Sequence, residues 1–233
     1  MKAVVLCDFD GTIYGGDVYE DLLLKFGSSK APLLFERYKR GELRSQGILE
    51  EGWDSFVVPR ETLEAEMKMM EIDPHFTAFV SWCSDMDWEI GILSDGLDWY
   101  IRAVLANVGL DEIPVYANEL RFEREMPVFS YPYLDTTCPL CGDRFAVCKR
   151  NVVKSFQKMG KKVVFIGDGS SDRCAAPAAD VVIAKRKLRL FCKEEGIPYI
   201  SFETFADVLE QRDQILHFKA ESRIAESETR EEK

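Results

Sequence analysis

The sequence predicts an α/β protein, with a Rossmann-like parallel sheet core and an all-helical cap inserted after the first strand. Three observations predict it. Short, continuous apolar runs recur along the chain, amphipathic helical patterns separate most of them, and one long stretch after the first run is helical with no strand-like run in it. Alternating strand and helix signals call for parallel strands, because each crossover helix must pack back onto the sheet.

Ala3 to Cys7 is apolar at every position and ends at Asp8, the pattern of a strand buried on both faces. Similar runs lie at Ile90 to Leu93, Val163 to Ile166, Val181 to Ala184 and Pro198 to Ile200. Helical patterns run from Leu97 to Val108, closed by Gly109, and through Val152, Val153, Phe156 and Met159, closed by Gly160. Another runs from Leu188 to Glu195 and ends at Gly196. Between Tyr14 and Ile72 four helices are expected: Tyr19 to Phe26, Ala31 to Arg40, Ser45 to Phe56 and Glu61 to Met70. The stretch from Ala117 to Val147 is rich in Pro, Tyr and Cys, and its alternation around Leu120 to Tyr133 suggests an antiparallel flap. Trp53, Trp82, Trp88 and Trp99 read as core or cap packing. The expected organisation is a core of residues 1–13 and 73–218, a helical cap of 14–72, and a polar, disordered tail of 219–233.

With 233 residues, 46% of them hydrophobic, the chain can bury a sizeable core without a disulfide or metal staple. Its formal net charge of -11 argues against nucleic acid and anionic membranes as partners. An odd number of cysteines, seven, scattered through apolar stretches fits a reducing compartment. The N-terminal apolar run is too short for a secretory signal and no run approaches a membrane span, so a soluble cytoplasmic protein is expected.

In a parallel sheet, ligands bind beyond the carboxyl ends of the strands. Three polar clusters fall there: Asp8-Phe9-Asp10-Gly11-Thr12, Ser94-Asp95-Gly96, and Gly167-Asp168-Gly169-Ser170-Ser171-Asp172. Lys149 opens the helix leading into the last of these strands. Asp-Gly pairs are also ordinary turn signals, and each cluster alone reads equally well as a turn. Ser94 and Thr12 likewise read as helix N-caps. Together the clusters bring acidic ligands, small hydroxyls and one cation to one sheet edge. Alternation throws Asp8 and Asp10 to the same side, where two carboxylates repel unless a cation or a proton intervenes. Hard oxygen donors on loops suit magnesium.

These four ordered motifs, Asp8 to Thr12, Ser94, Lys149 and Gly167 to Asp172, resemble those of the haloacid-dehalogenase-like phosphatases. The resemblance spans nearly the whole chain. The helical insertion after the first motif is similar to the small cap of the branch that contains phosphoserine phosphatase. Asp8 to Asp17, Cys148-Lys149, and Ile166 to Ala176 most resemble the methionine-salvage group of that branch, which acts on 2-hydroxy-3-keto-5-methylthiopentenyl-1-phosphate. The resemblance implies a Mg2+-dependent phosphatase for a small phosphorylated metabolite. Asp8 would be the nucleophile, Asp10 the acid and base, and Lys149 the fixed counter-charge. Asp8, Asp10 (through its carbonyl) and Asp168 would hold the metal. Thr12, Ser94 and the amides of Asp95 and Gly96 would bind the phosphoryl oxygens, with Asp172 in support.

The chain departs from its branch in three places. Asp95 stands where the branch usually has glycine, so its side chain is an unlikely phosphate ligand. Asp17 replaces a cap glutamate, and Gly52 falls where phosphoserine phosphatases carry a carboxylate-binding arginine, with Arg44 or Arg60 as candidate substitutes. The last two departures weigh against phosphoserine. Phosphoethanolamine or phosphocholine is the next alternative, since that related group also has a Cys-Lys where this chain has Cys148-Lys149; Asp17, Glu20 and Asp21 would suit an amine or read equally as a solvated helix face. A phosphotransferase or mutase, and a non-catalytic binder, are further alternatives. Cys138-Pro-Leu-Cys141-Gly, with Cys148 seven residues on, resembles half of a zinc ribbon. A closed zinc site needs four ligands and no second pair follows, so reduced cysteines in a loop near the site are the expected reading, with zinc or a redox-sensitive pair as the alternatives.

Overall fold

The computed structural model describes residues 3–218, and the tail expected from residue 219 lies outside them. Strand β1 (Ala3–Cys7) is followed by four helices with no strand among them: α1 (Val18–Phe26), α2 (Ala31–Lys39), α3 (Ser45–Trp53) and α4 (Arg60–Met67). Then come α5 (Phe76–Asp85), β2 (Glu89–Leu97), α6 (Asp98–Ala106), β3 (Val115–Glu123) and β4 (Met126–Ser130). The chain closes with α7 (Lys149–Lys158), β5 (Lys162–Gly167), β6 (Val181–Ala184), α8 (Arg186–Glu194), β7 (Ile200–Ser201), α9 (Phe205–Glu210) and α10 (Arg212–His217).

The strands form one seven-stranded sheet in the order β4-β3-β2-β1-β5-β6-β7. All neighbours are parallel except β3 and β4, which pair antiparallel. Strand β1 lies at the centre, which explains its unbroken apolar sequence. Val5 and Cys7 join the cluster on one face of the sheet, while Val4 and Leu6 join the cluster on the other. Every β1 side chain therefore leaves water, as strands covered on both faces must.

The expected flap is a hairpin turning at Arg124 and Glu125, both at positive φ. Its first strand starts earlier than alternation suggested. Residues 115–118 pair parallel with β2, so β3 is the last parallel strand before the hairpin leaves the sheet. Sequence reading passed over α5 and the two short C-terminal helices. Their signal is aromatic rather than periodic: Phe76, Phe79 and Phe205 pack with ring centroids 4.9 to 6.4 Å apart.

Helices α1 to α4 share the cluster on the Val5 face, contributing Leu22, Leu23, Phe35, Ile48 and Leu63. Trp53 at the end of α3 packs on Trp99 of α6 (5.4 Å) and Phe122 of β3 (5.4 Å), clamping the helical insertion to the sheet side. Trp82 and Trp88 pack together at 5.3 Å. None of the four lines the large cavity described below. Among the described residues, no helix is long and apolar enough to cross a membrane.

Phe79 is 1% exposed and stacks on Phe76, Trp82 and Phe205. Phe79→Ala is expected to lower unfolding stability by about 3–5 kcal/mol. Leu190→Ala, at a position 58% exposed, should change it by less than about 0.5 kcal/mol. Urea unfolding of the two variants checks the pair.

Candidate active site

The carboxyl ends of β1, β2 and β5 open into a cavity of about 800 Å³. Asp8, Asp10, Ser94, Asp95, Gly96 and Asp168 line its sheet side, and Asp17, Tyr19, Phe35, Tyr38, Ile48 and Leu49 line the opposite wall. The second group all comes from the insertion, so the cavity lies between the sheet edge and the helices inserted after β1.

Its floor is a buried ion cluster that opens to the cavity at Asp8 and Asp168. Lys149, 0% exposed, donates to Asp8 Oδ1 at 2.8 Å and to Asp172 Oδ1 at 2.6 Å. The Phe9 amide also donates to Asp8 Oδ1 at 2.8 Å, and two donors on one oxygen fix the plane of that carboxylate. Asp172 is saturated, since its Oδ2 accepts the amides of Asp168 (2.9 Å) and Gly169 (2.8 Å). It buttresses Lys149 and the turn after β5. Carboxylate oxygens of Asp8, Asp168 and Asp172 all lie within 4.8 Å of one another.

Burial, then the neighbouring Asp172 charge, pushes the Asp8 carboxyl well above its usual range, while Lys149 pulls it back. Burial and Asp172 likewise raise Asp168. A buried carboxylate triad with one lysine has an excess of negative charge, and this is the electrostatic setting that a hard cation relieves.

Asp10 is held on both oxygens, by the Val18 amide (2.9 Å) on Oδ1 and the Tyr100 hydroxyl (2.7 Å) on Oδ2. Burial, followed by repulsion from Asp17, pushes its pKa up to about 8. Gly11 makes the turn between the two aspartates. Its φ is +76°, and a Cβ there would stand 2.5 Å from the Asp168 carboxylate oxygens, so only glycine fits. Asp17 caps α1 by accepting the Glu20 amide at 2.9 Å.

Two expected phosphate-binding groups are engaged elsewhere, the Thr12 hydroxyl and the Gly96 amide, whereas the Asp95 side chain points away, in line with its departure from the branch. The Thr12 hydroxyl is buried and donates to Asp168 Oδ1 at 3.1 Å, so it positions a carboxylate and does not face the cavity. The Asp95 side chain turns away from the floor. It accepts the Ser45 hydroxyl from α3 and the Val147 amide at 2.9 Å, locking helical insertion, sheet and loop together. Ser94 lines the cavity, with its Oγ accepting the Gly96 amide at 3.0 Å.

Neither Arg44 nor Arg60 substitutes for the absent cap arginine. Arg44 pairs with Asp143, and Arg60 pairs with Glu64 and lies over Phe122, away from the large cavity. At Gly52 a Cβ would press on Tyr19 and Leu23 at 2.9 Å, leaving no room for a longer side chain. The cations come instead from residues that sequence reading missed: Arg144, Arg186, Lys187 and Lys39. Arg186 opens α8 at a φ of 47°, bonds the Gly15 carbonyl at 3.2 Å and lies 3.6 Å from Asp168 Oδ2. A strained backbone at a cavity wall was invisible to periodicity.

The family model described as Putative Phosphatase matches residues 3–195. The 2-hydroxy-3-keto-5-methylthiopentenyl-1-phosphate phosphatase of Exiguobacterium sibiricum is 28% identical over 217 residues, covering 90% of this chain and 96% of that protein. The one from Brevibacillus brevis is 29% identical over 215 residues, with 89% and 94% covered. Among solved structures, a phospho-aspartyl intermediate analogue of phosphoserine phosphatase superposes with a TM-score of 0.68 at 17% identity, covering 90% of this chain and 98% of that one. A haloacid-dehalogenase family hydrolase from Salmonella enterica reaches 0.69 at 16% identity, over 90% and 71%.

Lys149→Met leaves Asp8 and Asp172 facing each other without a cation, and should cost about 3–5 kcal/mol of unfolding stability in urea titration. Asp95 offers a pH test. Burial, the largest influence, raises its carboxyl to about 6. A raised acid binds its proton more tightly in the folded state than in the unfolded chain, where its value is about 3.9. Its stabilising contribution is therefore full below about pH 4 and lost as pH rises through about 6. Asp95→Asn should remove that loss, so the stability difference between wild type and variant is expected to shift by about 3 kcal/mol between pH 4 and 7. Urea unfolding across that range measures it.

Proposed function

Because the chain belongs to the Putative Phosphatase family, we propose that it is a magnesium-dependent hydrolase of a small phosphomonoester, working through a phosphorylated Asp8. The observation that carries this reading is the Asp8 carboxylate itself. It sits on the cavity floor, held in one plane by Lys149 and the Phe9 amide.

Asp8 attacks phosphorus and forms an aspartyl-phosphate as the bond to the departing oxygen breaks. Asp10, whose raised pKa keeps it protonated near neutrality, gives its proton to that oxygen. It then takes a proton from a water that attacks the phosphorus, releasing phosphate and restoring Asp8. Lys149 stays charged throughout, since two carboxylates push its pKa up despite burial. Ser94 and the Asp95 amide would bind phosphoryl oxygens at the end of β2, and the Gly96 amide, which donates to Ser94 Oγ, would hold that hydroxyl in place.

The donor set fits magnesium. Asp172 has no free oxygen, but Asp8 and Asp168 present hard carboxylates within 4.8 Å of one another, and the Asp10 carbonyl supplies a neutral third. When bound, the metal neutralises phosphate charge that would otherwise repel an anionic nucleophile.

Helices α1 to α4, within residues 14–72, act as the cap, and their residues confine the substrate to a small metabolite. The named relatives act on a methylthio-bearing phosphate. Tyr19, Phe35, Ile48 and Leu49 supply an apolar wall that suits such a tail, and Arg144 a cation for its polar oxygens. A second reading, an amine-bearing phosphate such as phosphoethanolamine, is favoured by Asp17 and Glu20 in the same wall. Seven buried cysteines, none in a disulfide among the described residues, support a reducing, cytoplasmic location.

Asp8→Asn should lower kcat/KM by at least about 10³-fold, and EDTA should abolish an activity that magnesium restores. Full activity in the variant would sink the mechanism. In a magnesium-containing panel of the methylthiopentenyl phosphate, phosphoserine, phosphoethanolamine and phosphocholine, the first is expected to give the highest kcat/KM. A higher value for an amine would select the second reading.

A further inference from the structure

Four of the seven cysteines meet in one place. Cys138, Cys141, Cys148 and Cys174 are all buried, and their sulfur atoms lie within 4.8 Å of one another. They form a cluster with Phe145, apart from the two large cores. Cys7 and Cys192 are buried in those large cores, and Cys83 lies in the same core as Cys7. The four come from three stretches of chain: the knuckle at 138–141, the residue before α7, and the short 3-10 turn Ser171–Cys174. Tetrahedral zinc with Zn–S bonds of about 2.3 Å holds its sulfurs about 3.8 Å apart, within the span found here.

The surroundings are those of a thiolate site. Cys148 is the residue before α7, at the helix end where the dipole favours negative sulfur, and the Asn151 amide holds it there by donating to its carbonyl at 3.1 Å. Gly142, at a φ of 55°, turns the chain so that its amide reaches the Cys138 carbonyl at 2.8 Å and both knuckle sulfurs face inward. The segment between β4 and α7 is long and irregular, and a shared metal would close it.

We propose that Cys138, Cys141, Cys148 and Cys174 bind one structural zinc ion. All four coordination positions are filled by protein, so the ion holds structure and does no chemistry. It would join the loop that supplies Arg144 and Phe145 to the two elements that supply Lys149 and Asp172. This role is separate from the phosphatase reading and stands or falls without it.

The test is metal analysis of the full chain produced with zinc in the medium, by mass spectrometry of the native protein and by elemental analysis. One zinc per chain is expected, lost in Cys174→Ser and in Cys138→Ser. Cobalt added to chelator-stripped protein should give the intense absorption of a tetrahedral tetrathiolate. Should the serine variants fail to fold, zinc content and the cobalt spectrum of the unaltered chain still decide. A zinc-selective chelator that spares magnesium should lower the unfolding midpoint. Zinc far below one equivalent, iron in its place, a Cys138–Cys141 disulfide, or full zinc retention in Cys174→Ser would each overturn the proposal.

Discussion

Lys149 buried between Asp8 and Asp172 is the contact on which the site depends. Taking an ammonium and two carboxylates out of water costs several kcal/mol per ion, and their attraction offsets that cost only with close geometry and further hydrogen bonds. Those bonds are present. The Phe9 amide serves Asp8, and the amides of Asp168 and Gly169 serve Asp172. The ends of β1 and β5 and the start of α7 are thus tied by one residue. The Asp8 carboxylate plane is set before any ligand arrives, which is the preorganisation that the proposed role of Asp8 needs.

A second link ties the helical insertion to the sheet. Asp95 departs from the branch pattern, and its position accounts for a carboxylate beside the proposed phosphate site. It faces sideways into Ser45 and Val147, and the Ser45 amide and hydroxyl in turn reach the Arg144 carbonyl at 2.9 and 3.2 Å. The glycine usual at that position would leave the β2 end without these side-chain bonds to α3 and to the loop carrying Arg144, which would then be joined only through Ser45 and the Arg144 carbonyl.

What was legible in the sequence followed from local rules. Ala3 to Cys7 declared a doubly buried strand by composition alone, and Asp8, Asp10, Lys149 and Asp168 meet because parallel strand ends share one edge. The α1 to α4 patterns were legible because each helix shows one face to a core. What escaped depends on tertiary placement. Thr12 looked like a phosphate donor until its hydroxyl met Asp168. Arg144 and Arg186 belong to an irregular loop and to a helix start at positive φ, neither of which has a period. Cys174 hid inside a motif already explained by Asp172, so the cysteine count near residues 138–148 stopped at three.

The lysine anchor and the cysteine cluster use the same two backbone segments. Cys148 immediately precedes Lys149, and Cys174 lies two residues after Asp172 in the same 3-10 turn. Consecutive side chains at a helix start point in different directions, so one segment can serve the cavity floor and the sulfur cluster at once. A shift that separated Cys148 from Cys174 would also separate Lys149 from Asp172, leaving a buried cation and a buried carboxylate short of a partner. The two clusters therefore resist the same displacement. The ion pair is strong only while its geometry holds, and a closed tetrathiolate on the neighbouring residues holds that geometry without entering the chemistry.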